Sequence, residues 1–263
     1  MNQQTIARLS ALTADFYARL GDDFGETRPR LNPGVQRVLG QIASGAVVVE
    51  AGCGDAKVGR RLTDRVPRAR YLGLDASAVF LERALRLTLS ASAAGRTAAL
   101  LEPAGLAAWP DTGPDLALAR VDLLAPDVVL VRPGLADWAL AFAVLHHIPG
   151  LSQRQTVVRR WADWLKPGGR LAFSCWQPQR SPRWGRLVRP WSEAGLAESD
   201  VDPGDHLLGW ERRELSGLRY VHVCDPAEVD GLLAGVGLVV VDRYTADGHS
   251  GEMADYVVAR KTP

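Results

Sequence analysis

The stretch Ala46-Val47-Val48-Val49-Glu50-Ala51-Gly52-Cys53-Gly54-Asp55 decides how the rest of this chain folds. Residues 46–49 are apolar and three of them are β-branched, which predicts a short strand buried on both faces. The strand ends on the Glu50 carboxylate and runs into Gly52 and Gly54, where the backbone can turn sharply and approach a ligand closely. Val58 and Leu62 then recur at helical spacing. The unit is strand, tight loop, helix, the place where a parallel α/β sheet opens a nucleotide site.

Charge selects the ligand class. Gly52 and Gly54 match the first two glycines of the dinucleotide fingerprint, but Lys57 stands where the third would be. Glu50 and Asp55 are expected to flank the turn with negative charge. They would repel a pyrophosphate on the following helix, but not S-adenosylmethionine, which has no phosphate and carries a sulfonium and an ammonium. A tight structural turn remains the alternative on this stretch alone.

Reading outward, Tyr71–Leu74 predicts a second strand closed by Asp75, 21 residues beyond Gly54, about the offset at which an acid meets ribose hydroxyls. Leu116–Val121 predicts a third, ending on Asp122, and 137–145 a fourth, ending at His146-His147-Ile148. Val157, Val158, Trp161 and Trp164 share a helix stopped by Lys166-Pro167-Gly168-Gly169, and Arg170–Trp176 is a fifth strand. Leu238–Tyr244 and Tyr256–Lys261 read as a closing pair. The pattern predicts an α/β fold with a doubly wound, mostly parallel, seven-stranded Rossmann-like sheet. Before it, Ile6, Leu9, Leu12, Phe16 and Leu20 share one helical face, a first helix expected to end near Gly21. The expected divisions are 1–44, helices covering the pocket; 45–176, the cofactor-binding core; 177–219, a Trp- and Arg-rich cap insertion; and 220–263, the closing strands and helix. Residues 90–115 read as an insertion.

Lys+Arg 31 against Asp+Glu 30 gives a formal +1, so no global basicity announces nucleic acid. Any RNA contact needs a local patch. Cys53, Cys175 and Cys224 are odd in number, far apart in sequence and form no C-x-x-C pair, which argues for a reduced cytoplasmic protein without a metal site. No apolar run approaches membrane-spanning length.

The array resembles the class I S-adenosylmethionine-dependent methyltransferases over residues 45–176. The shared features are Glu50-Ala51-Gly52-Cys53-Gly54, the acids after strands two and three, and Leu165-Lys166-Pro167-Gly168-Gly169. The resemblance implies cofactor binding by Glu50, Gly52, Gly54, Asp75 on the ribose, and Asp122 on the adenine. A second likeness covers nearly the full chain. Phe24-Gly25-Glu26-Thr27-Arg28, Ala143-Val144-Leu145-His146-His147-Ile148, Trp176, Leu187–Trp191 and Arg219-Tyr220-Val221-His222-Val223 are similar to the tRNA wobble-uridine carboxymethyl methyltransferases. The chain departs from them at Ala254-Asp255, where that family shows Asn-Trp, and at Asp55-Ala56-Lys57, where it shows Asn-Gly-Lys. The likeness implies a tRNA carboxylate as acceptor, no DNA, and a small activator subunit as partner.

Esterifying a carboxylate needs no strong base, because the nucleophile is already ionised near neutrality. It needs a cation to align the carboxylate: Arg28 is the candidate clamp, with a surface salt bridge as its alternative, and of His146 and His147 one is expected to touch substrate and the other to hydrogen-bond the fold. Trp176 and Trp191 are expected either to stack on a base or to pack the cap. Tyr220 and His222 are expected to face opposite sides of their strand, one lining the pocket. Arg183 and Arg186 lie in a cluster with Arg180 and Arg189, interleaved with Trp184 and Trp191, that suits phosphates and bases. Two rival readings stay open: a small-molecule carboxyl or hydroxyl methyltransferase, and a non-catalytic cofactor-binding partner subunit.

Overall fold

The computed structural model describes residues 1–27, 30–90, 97–125 and 131–262. The chain opens with α1 (Gln3–Glu26), capped by Asn2, whose side chain accepts from Thr5 N at 2.8 Å. It continues through α2 (Pro33–Leu39), β1 (Val47–Ala51), α3 (Lys57–Arg65), β2 (Arg70–Asp75) and α4 (Ala78–Ser90). Next come β3 (Ala98–Leu100), α5 (Pro103–Ala108), β4 (Leu116–Arg120), β5 (Ala136–Phe142), a 3-10 turn at Leu145–His147, α6 (Leu151–Trp164) and β6 (Leu165–Trp176). The last third holds α7 (Trp184–Leu187), β7 (Val188–Arg189), β8 (Asp205–Arg212), β9 (Leu215–His222), α8 (Pro226–Ala234), β10 (Leu238–Ala246) and β11 (Ala254–Lys261).

One sheet runs β10-β11-β6-β5-β1-β2-β4-β3, parallel from β3 to β6 and antiparallel at the β6–β11–β10 edge. The seven expected strands are all in it. The eighth, β3, comes from the stretch read as an insertion and pairs parallel to β4 at the edge. Strand alternation divides the core. Val49, Ala51, Leu72 and Ala139 face α6 and α8, while Val48, Tyr71, Leu118 and Leu140 face α2, α3 and α4. Strand order reverses at β1, which lies between β2 and β5. The C-terminal end of β1 is therefore the switch point where such sheets hold ligands.

A second, antiparallel sheet, β7-β8-β9, forms the cap. The expected boundary at 219/220 falls inside β9, because Arg219 through His222 pair with β8 and not with the closing strands. The first helix runs past Gly21 to Glu26, since Gly21 packs on the Phe80 ring and interrupts nothing. Helix α1 lies along β9, burying Leu9 with Trp191, Leu207 and Tyr220, and Phe16 and Leu20 over Gly217. Each such fully buried side chain is worth about 1.5–3 kcal/mol. A Cβ at Gly217 would fall 2.6 Å from Leu20 Cδ1, so Gly217 sets how closely α1 meets the cap.

Candidate functional site

The loop after β1 is built for close approach. Gly52 and Gly54 have φ of +64° and +53°, a left-handed backbone that disfavours any Cβ. A Cβ at Gly52 would also strike Val144, whereas one at Gly54 would meet nothing within 4 Å. That open side is the cradle. Asp75, at the end of β2, closes it by accepting Gly54 N at 2.8 Å and Ser77 N at 2.9 Å, one on each carboxylate oxygen. Each oxygen keeps a lone pair for a further donor. Burial pushes the Asp75 carboxyl up, against the backbone hydrogen bonds that hold it down. Asp122, two residues beyond β4, is exposed and accepts Leu124 N at 2.9 Å.

The expected pair of negative charges at the loop is corrected by the structure. Glu50 is 2% exposed, accepts the Tyr71 hydroxyl, and is pushed up to about 8 by burial, so it is largely neutral at pH 7. Asp55 is ringed by Lys57 at 3.7 Å, Arg60 at 3.9 Å and Arg83 at 3.8 Å. Helices α3 and α4 thus supply cations that the local sequence of the loop does not reveal. Asp75 is held by backbone N–H groups, with no cation beside it among the described residues.

At the other end of the site, the 3-10 turn brings His146 and His147 under the cap. His147 Nδ1 lies 2.9 Å from the Tyr220 carbonyl, which can only accept, so Nδ1 carries the proton. Its Nε2 then accepts from the Tyr17 hydroxyl at 2.9 Å. His147 is committed to the fold on both nitrogens. His146 is buried, its Nδ1 accepts Trp176 N at 3.2 Å, and burial holds it well below the usual range. It is a neutral ring with Nε2–H left to offer.

Sequence reasoning missed Arg219 as a site residue. Its guanidinium lies 4.9 Å from the Phe24 ring centroid, 5.1 Å from Trp176 and 5.4 Å from Phe16. It is 5% exposed, and its Nε is buried with no hydrogen-bond partner. Burial lowers its affinity for the proton, and the group that offsets this is the Tyr17 hydroxyl, with no carboxylate beside it among the described residues. A buried, unpaired cation is costly, and arrangements that keep one usually offer it to an anion. The available signal was an arginine inside the apolar run Leu218–Val221.

The remaining expected residues divide. Trp176 is half-buried beneath Arg219 and 6.1 Å from the His146 ring, so it belongs to this cluster. Trp191 is packed into the cap core. Tyr220 and His222 do not face opposite sides. Two apart on β9, they point the same way, and both reach Asp205 Oδ1, at 2.6 and 2.7 Å. Both are buried, on the face of β9 opposite Arg219. Arg183 and Arg186 are exposed and pair with no carboxylate among the described residues, whereas Arg180 forks onto Asp255 and Arg189 bonds Glu193. Arg28 lies outside the described residues. No helix of the described residues is long and apolar enough to cross a membrane.

Residues 49–171 match the family described as Methyltransferase domain. The chain is 25% identical over 190 residues to a tRNA (carboxymethyluridine(34)-5-O)-methyltransferase of Arabidopsis thaliana, covering 72% of this chain and 38% of that protein. It is 31% identical over 129 residues to a trans-aconitate 2-methyltransferase of Streptomyces avermitilis, covering 49% of this chain and again 38% of the other. The chain thus spans well under half the length of these curated relatives. Its fold matches a SAM-dependent methyltransferase from Methanosarcina mazei with a TM-score of 0.62 and 15% identity, over 88% of this chain and 98% of that one.

Proposed function

We infer that this chain, a class I S-adenosylmethionine-dependent methyltransferase by sequence and fold, esterifies a carboxylate on its acceptor. The observation that carries the reading is Arg219, a buried guanidinium boxed by three aromatic rings beneath the cap, with no carboxylate beside it among the described residues. A carboxylate is the anion its fork matches.

The residues at the glycine loop fit the cofactor. Gly54 leaves open space for the methionine moiety, Asp75 has free lone pairs for the ribose hydroxyls, and Asp122 stands at the next strand end for the adenine amino group. When bound, S-adenosylmethionine supplies a methyl on a sulfonium, so an O–C bond forms as the S–C bond breaks and no proton changes hands.

The chain's own residues orient the acceptor. Arg219 holds one edge of the carboxylate, Tyr17 fixes Arg219, and the neutral His146 offers Nε2–H to the same group. A base is not required, because a carboxylate near pH 7 is ionised. The apolar walls of Phe16, Phe24 and Trp176 keep water out, which strengthens these contacts.

Carboxymethyluridine and trans-aconitate, in the names of the two relatives, both carry carboxylates, so each is consistent with the Arg219 anchor. The longer match and the exposed Arg183 and Arg186, which pair with no carboxylate among the described residues, favour tRNA as the acceptor. Labelled methyl offered to total RNA and to a metabolite extract decides between them. Label in base-labile esters on RNA supports the tRNA reading. Label in small carboxylic esters supports the second reading, and label only in base-stable products would overturn carboxylate transfer.

A further inference from the structure

Below the acceptor site, on the opposite face of β9 from Arg219, a buried chain of ionisable groups joins the cap to the core. His222 is 2% exposed. Its Nδ1 lies 2.7 Å from Asp205 Oδ1 on β8, and its Nε2 lies 2.7 Å from Glu228 Oε2 on α8. Glu228 Oε1 accepts from Arg154 Nε of α6 at 2.5 Å, and Arg154 Nη1 donates to the Ile148 carbonyl at 3.0 Å, next to the 3-10 turn. Asp205 also accepts the Tyr220 hydroxyl.

Carboxylates only accept, so both His222 contacts close only when both ring nitrogens carry protons. Burial alone would push His222 down, but the Asp205 and Glu228 hydrogen bonds together outweigh it and hold it up at about 9. The other charged or titratable groups that face it are Arg154 of α6, Cys224 after β9, with Cys175 of β6 behind that thiol, and His146 and His206. The donors of His222, Cys224 and Glu228 lie within 4.8 Å of one another, a spacing that could also hold a metal ion. Both ring nitrogens, however, already stand at hydrogen-bond distance from a carboxylate.

We propose that the protonated His222 is a positioning residue for the acceptor site, holding the strand that carries Arg219 to its cap neighbour through Asp205 and pinning it to the core through Glu228. The strand held in this way also presents the Tyr220 carbonyl to His147. The bridge is intact below the ordinary imidazole range and fails as pH rises through about 9, when one nitrogen loses its proton and faces a carboxylate lone pair.

The kinetic consequence rests on the carboxylate-transfer reading, and the structural consequence does not, so the two are measured separately on the full chain. Hydrogen exchange of β9 amides, corrected for intrinsic rates, is expected to lose about tenfold in protection between pH 8 and pH 10. Glu228→Gln is the informative variant. Its amide oxygen can still accept from Arg154 while its NH2 donates to a neutral His222 Nε2, so β9 should stay protected at pH 10. His222→Gln sets a carbonyl oxygen against one carboxylate and should lose protection at every pH. With an acceptor in hand, it should raise the acceptor KM about tenfold and leave S-adenosylhomocysteine affinity unchanged. Cys224→Ser, the thiol control, should match the wild type.

Equal β9 protection in wild type and His222→Gln would overturn the proposal. So would an alkaline loss that survives Glu228→Gln, or one stoichiometric zinc whose chelation alone loosens β9. Exchange behaviour as expected, with no ester formed on any acceptor, would leave the bridge standing and sink the function reading instead.

Discussion

At the glycine loop each carboxylate has its counterpart inside the chain, whereas under the cap the Arg219 guanidinium has no carboxylate beside it among the described residues. Asp55 is ringed by three cations, Glu50 is bonded to Tyr71, and Asp75 is held by two backbone N–H groups. Arg219, equally buried, has rings on three sides and a hydroxyl beside it. A site complete in itself needs only shape from its ligand, while one with an uncompensated charge needs charge. Under the proposed function, the loop is the cofactor cradle and the cap the half that selects the acceptor.

The hardest test of that contrast is to remove the unpaired charge. Truncating one partner of a buried, hydrogen-bonded charge pair costs about 2–5 kcal/mol. Arg219→Ala should therefore lower acceptor kcat/KM by roughly 30-fold to several thousandfold. Arg219→Lys keeps the charge without the fork and should still be impaired. Calorimetry should find S-adenosylhomocysteine binding unchanged in both. Equal losses on acceptor and cofactor would erase the division between the two halves.

The converse change at the loop is expected to be smaller. Asp75→Ala removes charge-assisted hydrogen bonds worth about 1.5–3 kcal/mol, or roughly ten- to a hundredfold in cofactor affinity. It also frees the N–H groups of Gly54 and Ser77, so Asp75→Asn, which still accepts at one oxygen, should fall between wild type and alanine. Unchanged affinity in a titration with S-adenosylhomocysteine would remove Asp75 from the cofactor site.

Glu50 sharpens the contrast through pH. Its carboxyl sits at about 8 because burial outweighs the Tyr71 hydrogen bond, with Asp75 and Asp55 adding to the rise. A cation bound in the loop favours the ionised form, so binding should release a proton near pH 7, and affinity should climb as pH rises through 8. A shift of one pKa unit corresponds to about tenfold at most. Glu50→Gln should abolish the climb. The ligand's own ammonium titrates alike against both proteins, so the difference between the two pH profiles isolates Glu50.

The loop's geometry was legible in sequence because it is local: Gly52, Gly54 and the strand-end Asp75 lie on one βαβ unit. The doubly wound, mostly parallel sheet followed from the same alternation, and an added edge strand was hidden in the Ala-rich 90–115, whose short apolar runs carry no period. The charge state of the loop was not legible, since Arg60 and Arg83 reach Asp55 from two helices. The acceptor end was harder still. Sequence left Trp191 open between a stacking platform and cap packing, and it is cap core, because α1 folds Leu9 onto it. Arg219 became visible only when α1 and β6 closed rings around it. Residues whose roles come from burial by distant segments leave little trace in their own neighbourhood.

The smallest expected effect concerns RNA. Counted from sequence, Arg180, Arg183, Arg186 and Arg189 offer four charges to phosphates. The structure sets Arg180 on Asp255 at 2.6 and 3.0 Å and Arg189 on Glu193 at 3.1 Å, which leaves Arg183 and Arg186. At the single-strand coefficient of roughly 0.7 per phosphate, log affinity for tRNA should fall with log salt at a slope near −1.4 from this surface, not near −3. Replacing both by alanine should flatten that slope and weaken binding alike across RNA sequences, by a few-fold at moderate salt. Cofactor binding should not move, because the pair lies on the cap, beyond the strand ends that form the cradle. A slope near −3 would mean that RNA breaks the Arg180 and Arg189 ion pairs on binding. A flat response with intact methyl transfer would instead assign the cap to a small carboxylate, held by Arg219 without help from a phosphate backbone.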